Sequence, residues 1–281
     1  MVSTWLAAVD RARFGPWAVV TGASSGIGRE FARQLAANAI NVVLVARREM
    51  PMREAGREFT RQYGVEHRVV SLDLTGPGSL ERLAEATDDL DIGLAVANAG
   101  AAMPGEFLSH DLDALRDIIR LNAMSCLEVA HHFGGRLARR GHGGIVLVSA
   151  AGSRHGVPNM ANDAATKAYV LALGKALHTE FGRRGVSLTV LLPGATSTPV
   201  LERFGVQPGS SPVKPMTVEQ CVAEGLSALS ANRATQIPGR LNRAFDRIVP
   251  GRATSTMMGR MAGQWAEHIA AQKADLPGQA R

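Results

Sequence analysis

The feature that most constrains this 281-residue chain is a glycine-rich turn between a predicted strand and a predicted helix. Residues 18–20 read AVV, residues 21–28 read TGASSGIG, and helical periodicity follows over residues 26–38. Three glycines at this spacing let the backbone turn sharply and approach a pyrophosphate at the amino end of the helix. Because strand and helix flank the turn as this motif requires, dinucleotide binding is favoured over a turn that only packs a helix. The turn residues predicted to contact the dinucleotide are Gly22, Ser24, Ser25, Gly26, Ile27 and Gly28.

Apolar runs alternate with longer amphipathic stretches along most of the chain. Most of the runs are apolar at successive positions, as expected for strands of a parallel sheet that is covered on both faces. The alternation predicts an α/β fold, a single Rossmann-like doubly wound parallel sheet with helices on both faces. The predicted strands are residues 18–22, 41–46, 67–74, 92–100, 144–150 and 186–194, and the predicted helices are residues 26–38, 51–63, 111–139 and 163–184.

Breaks in this pattern divide the chain into three parts. Residues 1–14 are predicted to be a helical extension, with a helix from Thr4 to Arg13, and residues 15–240 the dinucleotide-binding domain. Residues 241–281 are predicted to be a basic helical tail. Prolines and glycines predict a flexible loop before the last elements of the domain. That loop is residues 205–215, and a helix over 217–231 and a short strand over 235–238 follow it.

The charge balance argues against a body that binds nucleic acid. The chain carries 31 basic and 25 acidic residues, but eight of the basic and only three of the acidic ones follow position 232. Five of the six excess positive charges therefore follow position 232 and the rest of the chain is nearly neutral, so we expect no nucleic-acid partner. Two cysteines are too few for a disulfide framework, and no signal peptide is recognisable. Since no apolar run reaches the roughly 20 residues of a membrane span, the sequence predicts a cytoplasmic protein.

The end of the second predicted strand bears on which dinucleotide is bound. A site for NAD places an Asp or Glu there to hold the ribose 2′-hydroxyl, whereas this chain reads Val45, Ala46, Arg47 and Arg48. Two guanidinium groups suit a 2′-phosphate. Arg47 and Arg48 therefore predict NADP(H) as the cofactor, with two solvated arginines at a strand end as the alternative.

Several further motifs occur in an order that resembles the short-chain dehydrogenase/reductase family, over about residues 15–240. Besides TGASSGIG they are Asp73 with Leu74, Asn98-Ala99-Gly100, Asn122, Ser149, Lys167, and Pro193-Gly194 with Thr196. The resemblance implies that Asp73 and Leu74 flank the adenine. It also implies that Asn98, Ala99, Gly100 and Lys167 line the cofactor, and that Pro193, Gly194 and Thr196 hold its nicotinamide end.

The resemblance further implies the chemistry of carbonyl reduction or alcohol oxidation. Ser149 would hydrogen-bond the substrate oxygen, Asn122 would hold a water, and Lys167 would lower the pKa of a tyrosine one helical turn away. In this chain the position four residues before Lys167 is Asp163. Tyr169 cannot easily replace the tyrosine, because two positions after the lysine lies about 200° around the helix. The predicted catalytic set is Asn122, Ser149, Asp163 and Lys167, with an altered proton-transfer centre.

Asp163 leaves three functions open. An aspartate pKa starts near ~3.9 and Lys167 would lower it, so a carboxylate paired with Lys167 is expected unless burial raises the pKa. The first function is an NADP-dependent oxidoreductase whose proton comes from His155, Asp163 or water. The second is a non-redox lyase, dehydratase or isomerase with Asp163 as the base. The third is an NADP-binding protein that does not turn over. The first is preferred, because the rest of the family's set of residues is intact.

The remaining features predict the partners. The resemblance implies a small-molecule substrate, with a lipophilic ketone or alcohol as the class, and a homodimer or homotetramer formed through residues 111–139 and 163–184. We expect no metal, since His131 and His132 point to different faces of a helix. Cys126 is expected in the core. The tail's apolar residues are expected to pack within the protein, with a cover over the substrate cleft, a contact with a partner subunit and a membrane surface as the alternatives. They are Met257, Met258, Met261 and Trp265.

Overall fold

The computed structural model describes residues 5–205 and 215–274. Seven parallel strands form one sheet in the order β3-β2-β1-β4-β5-β6-β7. The strands are β1 (Trp17–Thr21), β2 (Asn41–Ala46), β3 (His67–Ser71), β4 (Ile92–Ala97), β5 (Gly143–Val148), β6 (Val186–Leu191) and β7 (Thr235–Gln236). The predicted doubly wound parallel sheet is confirmed.

Helices cover both faces of the sheet, and each face has its own apolar core. One core includes Phe31, Leu35 and Leu226, and the other includes Phe133 and Leu188. The helices are α1 (Arg11–Phe14), α2 (Gly26–Ala37), α3 (Glu49–Tyr63), α4 (Ser79–Glu85), α5 (Leu112–Ile119), α6 (Ser125–Arg140), α7 (Ala161–Gly182), α8 (Pro199–Arg203), α9 (Val218–Ser230), α10 (Arg240–Ile248) and α11 (Gly251–Ala274). Cys126 is buried, as predicted.

The strand order reverses between β1 and β4, which lie side by side at the centre of the sheet. In doubly wound sheets the crevice at the carboxyl ends of such a pair is where ligands bind. The glycine-rich turn follows β1, and Asn98 to Gly100 follow β4. The topology therefore brings two of the predicted cofactor-binding segments to one crevice.

The predicted helix from Thr4 to Arg13 is wrong over most of its described part, because α1 begins only at Arg11. Residues 5–10 form neither helix nor strand, and their backbone hydrogen-bonds to side chains at the carboxyl-terminal end of α2 and at its C-cap, Asn38. The Ala7 amide donates to Gln34 Oε1 at 3.2 Å, and the Val9 amide donates to Asn38 Oδ1 at 2.9 Å. Those side-chain acceptors satisfy the backbone from outside, which removes the need for helical hydrogen bonds. Thr4 lies outside the described residues.

The predicted helix over residues 111–139 is interrupted. Between α5 and α6, residues Arg120–Met124 form a π-helix, with Asn122 at its centre. Such bulges are frequently found at functional sites, because the extra residue re-aims a side chain.

The carboxyl-terminal helices fold back onto the domain. Met258 Cε lies 2.7 Å from where a Cβ on Gly152 would stand, and the Trp265 ring stacks on Phe204 with centroids 5.2 Å apart. Two of the four apolar tail residues therefore pack within the protein, as expected, whereas Met257 is exposed. Of the predicted loop at 205–215, only the two end residues are among the described ones. The three-part division of the chain stays a prediction.

Among the residues that the structure describes, no helix has both the length and the apolar character needed to cross a membrane. The cytoplasmic location stays a prediction from the sequence.

Candidate functional site

The backbone of the glycine-rich turn is packed so tightly that Gly28 has no room for a side chain. Gly22 has φ +69°, and a Cβ on Gly28 would stand 2.3 Å from the Gly22 carbonyl oxygen and 2.5 Å from Asn98 Nδ2. Ser25 precedes α2 with extended backbone and does not cap the helix with its side chain. The first amides of α2 thus keep their capacity to bind an anion. The cradle fits the pyrophosphate of a dinucleotide.

Arg48 lies across the mouth of this turn. Its Nη2 donates to Ser24 Oγ and to Ser25 Oγ, each at 3.1 Å. Arg47 is exposed beside it, and the Arg47 charge contributes to a lowered pKa of Asp73. The predicted arginine pair therefore stands where β2 ends, next to the phosphate cradle.

Asp73 and Leu74 also lie at this end of the sheet, after β3. Asp73 Oδ1 accepts hydrogen bonds from the Thr75 amide at 2.9 Å and the Thr75 hydroxyl at 2.8 Å. The amide hydrogen bond is the largest cause that holds the pKa of Asp73 below its ordinary value. Leu74 is buried in the core.

Thr21 organises the crevice, which the sequence reasoning missed. Its Oγ1 accepts from the amides of Asn98 at 2.9 Å and Ala99 at 3.0 Å. Asn98 Nδ2 donates back to the Thr21 carbonyl at 2.9 Å. The buried hydroxyl thus holds the ends of β1 and β4 together, and its place as the first residue of the TGASSGIG motif is the signal that could have found it.

The segment after β6 lies beside both the turn and the tail. Thr196 is buried, and its hydroxyl donates to the Gly194 carbonyl at 3.0 Å, while the Pro193 carbonyl accepts from the Ala151 amide at 2.9 Å. A Cβ on Gly194 would stand 3.1 Å from Nδ2 of Asn242, a residue of α10 that the sequence reasoning did not place here. Nothing in the sequence signals that contact.

Lys167 and Asn122 meet at Gly100. A Cβ on Gly100 would stand 3.1 Å from Lys167 Nζ and 3.0 Å from Asn122 Oδ1. Lys167 Nζ donates to the Val148 carbonyl at 3.1 Å, and Asn122 Oδ1 accepts from the Ala101 amide at 2.9 Å. Two predicted catalytic residues therefore converge on the end of the segment that lines the crevice.

Ser149 is buried one residue after β5, and its hydroxyl is already engaged. Ser149 Oγ donates to the Lys167 carbonyl at 2.7 Å. The hydroxyl hydrogen is therefore committed to the backbone of α7, and only the oxygen lone pairs are left to face a substrate. Its predicted role stays a prediction.

Asp163 differs from the expectation in two ways. Its side chain accepts from the Met103 amide at 3.2 Å, whereas Lys167 donates to Val148, so the two groups have different hydrogen-bond partners. Burial is the largest influence on the pKa of Asp163 and raises it, while hydrogen bonds and the charge of Lys167 act in the opposite direction. The expected lowering of this pKa is wrong because Asp163 is only 5% exposed.

Lys167 responds to the same environment. Burial lowers the pKa of its ammonium group, and the neighbouring Cys126 and Asp163 act against that lowering. An aspartate and a lysine that are both moved toward neutrality form the kind of perturbed pair that marks functional sites.

His110 is a further residue that the sequence reasoning missed. Its charge acts on Asp163, lowering the pKa of that carboxyl, and its Nε2 is buried with no hydrogen-bond partner among the described residues. The position of His110 depends on the path of residues 101–110, which no local pattern predicts. His155, the donor considered from the sequence, lies elsewhere: its ring packs against Gly251 at the start of α11. Within residues 5–205 and 215–274 the structure groups no set of side chains that could hold a metal ion.

A family model described as short chain dehydrogenase matches residues 16–208, more than half of the chain. The chain belongs to the short-chain dehydrogenase family. A 7beta-hydroxysteroid dehydrogenase from Clostridium sardiniense is 29% identical over 233 residues, which cover 83% of this chain and 89% of that protein.

Solved structures agree with the family assignment. One of a 7beta-hydroxysteroid dehydrogenase superposes with a TM-score of 0.81 at 27% identity, covering 89% of this short-chain dehydrogenase and 99% of that chain. A short-chain dehydrogenase from Sphingobium yanoikuyae, in complex with NADPH, gives a TM-score of 0.75 at 26% identity and covers 95% and 98% of the two chains. The fold, the family and a nicotinamide cofactor are thus supported together.

Proposed function

We propose that this short-chain dehydrogenase is an NADP(H)-dependent oxidoreductase of carbonyl and alcohol groups, in which Asp163 takes the proton-transfer position. The observation that carries the proposal is the convergence at Gly100. That residue ends the segment lining the cofactor crevice, and it lies against both Lys167 Nζ and Asn122 Oδ1. A cofactor in the crevice would therefore lie close to Lys167 and Asn122, and Asp163 is one helical turn before Lys167 on α7.

The proposed preference for NADP(H) over NAD(H) rests on the two arginines that follow β2, Arg47 and Arg48. Arg48 already hydrogen-bonds Ser24 and Ser25 at the edge of the phosphate cradle, and a 2′-phosphate there would take over those donors. The Sphingobium yanoikuyae relative is solved with NADPH. The structure offers Arg47 as a second exposed cation at the same strand end.

When bound, the reduced nicotinamide supplies the hydride for a carbonyl carbon. Lys167 would hold the ribose next to the nicotinamide, since its ammonium lies against Gly100. Asn122 is fixed by the hydrogen bond that it accepts from the Ala101 amide. It would hold a water molecule beside Lys167. Both roles follow the family's pattern, and the proximity of both side chains to Gly100 supports them.

Asp163 would move the proton. Its Oδ1 accepts from the Met103 amide, so we assign the proton to Oδ2. Because burial raises the pKa of this carboxyl, the acid form persists to higher pH than for an exposed aspartate. A neutral acid can donate to the developing alkoxide and then recover its proton from solvent. His110, whose charge acts on Asp163, would adjust the pH at which this happens.

The substrate class that fits best is a bulky lipophilic ketone or alcohol. Relatives named 7beta-hydroxysteroid dehydrogenase act on steroids. In this chain α11 contacts Gly152 on one side, through Met258, and Phe204 on the other, through Trp265. An apolar helix surface over the region that follows β5 and β6 suits a large apolar substrate.

Calorimetric titration with NADPH and then NADH is the first test, followed by NADPH oxidation in the presence of a 7-oxo steroid. We expect tighter binding of NADPH and slow turnover that Asp163→Asn abolishes. Asp163→Tyr supplies the control, because it restores the family's residue four positions before Lys167.

The outcomes separate the candidate functions. Turnover by the wild type that Asp163→Asn removes supports the proposal. Turnover that appears only in Asp163→Tyr indicates a disabled reductase that still binds its cofactor. If neither NADPH nor NADH binds, the oxidoreductase assignment fails with the cofactor.

A further inference from the structure

Helix α10 has its polarity reversed relative to a normal surface helix. Leu241 and Ile248 are 82% and 78% exposed, and Ala244 and Phe245 are exposed on the same side. These positions follow the spacing i, i+3, i+4 and i+7, which places them along one face. A surface helix ordinarily turns such a face toward the core, whereas the described part of the chain leaves this apolar stripe exposed.

The polar face of α10 is what attaches it to the domain. Arg243 Nη1 donates to the Ile237 carbonyl at 2.9 Å and forms an ion pair with Glu224. Asp246 pairs with Arg154 at 2.6 Å, and Asn242 Nδ2 donates to the Pro238 carbonyl at 2.9 Å. Because these contacts fix the rotation of α10 about its axis, its apolar stripe faces away from the domain.

The exposed charged residues of α10 and of the first ten residues of α11 are positive. Arg240 and Arg247 are exposed on α10 itself, and Arg252 and Arg260 are exposed on α11, which begins three residues after α10 ends. Asp246 is already paired with Arg154. On α11, Arg252 and Arg260 also line a shallow groove of about 540 Å³ together with Met257 and Met261. Apolar and cationic side chains therefore occur together over both helices.

We propose that α10 docks this protein onto a membrane surface that contains anionic lipids. Leucine, isoleucine and phenylalanine side chains would enter the boundary between headgroups and acyl chains, while the flanking arginines bind lipid phosphates. The charge complementarity favours this occupant over a second copy of the chain, whose corresponding face carries the same positive charge. The proposal is independent of the catalytic assignment, and it agrees with the class of lipophilic substrate.

Sedimentation with vesicles tests the proposal. We expect the protein to sediment with phosphatidylcholine vesicles that contain phosphatidylglycerol, more weakly as salt rises, and not with phosphatidylcholine alone. Leu241→Glu with Ile248→Glu should weaken binding by at least about tenfold, because both apolar anchors are lost. Arg240→Gln with Arg247→Gln should weaken binding and flatten its salt dependence.

The matched control is Leu108→Glu with Leu112→Glu. It removes two exposed leucines outside α10, of which Leu108 is 92% exposed, with the same change in net charge. Melting temperature and NADPH titration report whether each variant is folded. Equal loss of binding in control and test variants, or no sedimentation of the wild type at low salt, overturns the proposal. So does a dimer in light scattering that the α10 variant alone dissociates, since α10 would then be a contact between copies.

Discussion

Burial decides the chemistry of Asp163 at the scale of the single residue. Lys167 is one helical turn away, and on that ground alone the carboxyl should be a stronger acid than usual. The Asp163 carboxyl accepts a hydrogen bond from the Met103 amide rather than from Lys167. Burial raises its pKa by more than the charges of Lys167 and His110 lower it. A sequence shows which residues share a helix face, but not how much water reaches them.

The raised pKa of Asp163 predicts a pH-dependent stability. The native state keeps the proton over a pH range in which the unfolded chain has lost it, so the free energy of unfolding falls as pH rises through that range. Asp163→Asn removes this effect, and its amide oxygen can still accept from Met103. We expect it to be more stable than the wild type at pH 7.5, by on the order of 1 kcal/mol. The gain should shrink in acid.

Urea unfolding at acid and neutral pH measures this difference. The exposed Asp113→Asn serves as the control, because its side chain pairs only with Arg116 at the surface, and we expect it to change stability by no more than about 0.5 kcal/mol. If the urea unfolding curves of Asp163→Asn and the wild type coincide at pH 7.5, burial does not destabilise the charged form of Asp163.

Arg48 carries a second residue-scale prediction. Its guanidinium already donates to Ser24 and Ser25, where a 2′-phosphate would add a charge-assisted bond. Arg48→Gln should weaken NADPH binding by about tenfold, equivalent to roughly 1.4 kcal/mol, and leave NADH binding unchanged. Calorimetry on both cofactors checks this, with the exposed Arg57→Gln on α3 as the control. Equal losses for NADPH and NADH would remove Arg48 from the 2′-phosphate site.

Among the elements, those with a local cause could be predicted from the sequence. The strands, α2 and the turn between β1 and α2 depend on apolar periodicity and on three glycines, which are visible within a few residues. The helix expected from Thr4 fails because Gln34 and Asn38, far along the chain, bind the backbone of residues 5–10. The π-helix at Asn122 interrupts a continuous helical pattern, and a segment without periodicity carries His110 to where its charge acts on Asp163. Both depend on tertiary contacts.

The glycine-rich turn gives a prediction at this scale, because its close packing should not tolerate even a methyl group. In Gly28→Ala the new Cβ would lie 2.3 Å from the Gly22 carbonyl oxygen, so α2 must shift away from β1. We expect a loss of stability of about 1–3 kcal/mol and no measurable NADPH binding. Thermal unfolding and calorimetry measure the two effects. Gly182→Ala is the control, since a Cβ there meets nothing within 4 Å; normal cofactor binding in Gly28→Ala would refute the cradle.

At the scale of the whole molecule, most of helix α7 is not buried within the domain. Over its 22 residues the buried positions are Asp163, Thr166, Val170 and Gly174. Beside it, a groove of about 490 Å³ between α6 and α7 is lined in part by Leu127, Leu173, Leu177 and Phe181. The family resemblance places the contact between subunits on these two helices, and the groove supplies an apolar surface for it.

We therefore expect the protein to be a homodimer or homotetramer, and Leu173→Glu with Leu177→Glu to dissociate it into monomers. Each glutamate would place a charge in an apolar contact that is shielded from water, which is costly without a partner. Size-exclusion chromatography with light scattering gives the mass directly. The α10 variant, Leu241→Glu with Ile248→Glu, is the matched control because it introduces the same charges on a different exposed apolar face and should keep the oligomer. A wild type that is already monomeric would contradict the predicted oligomer.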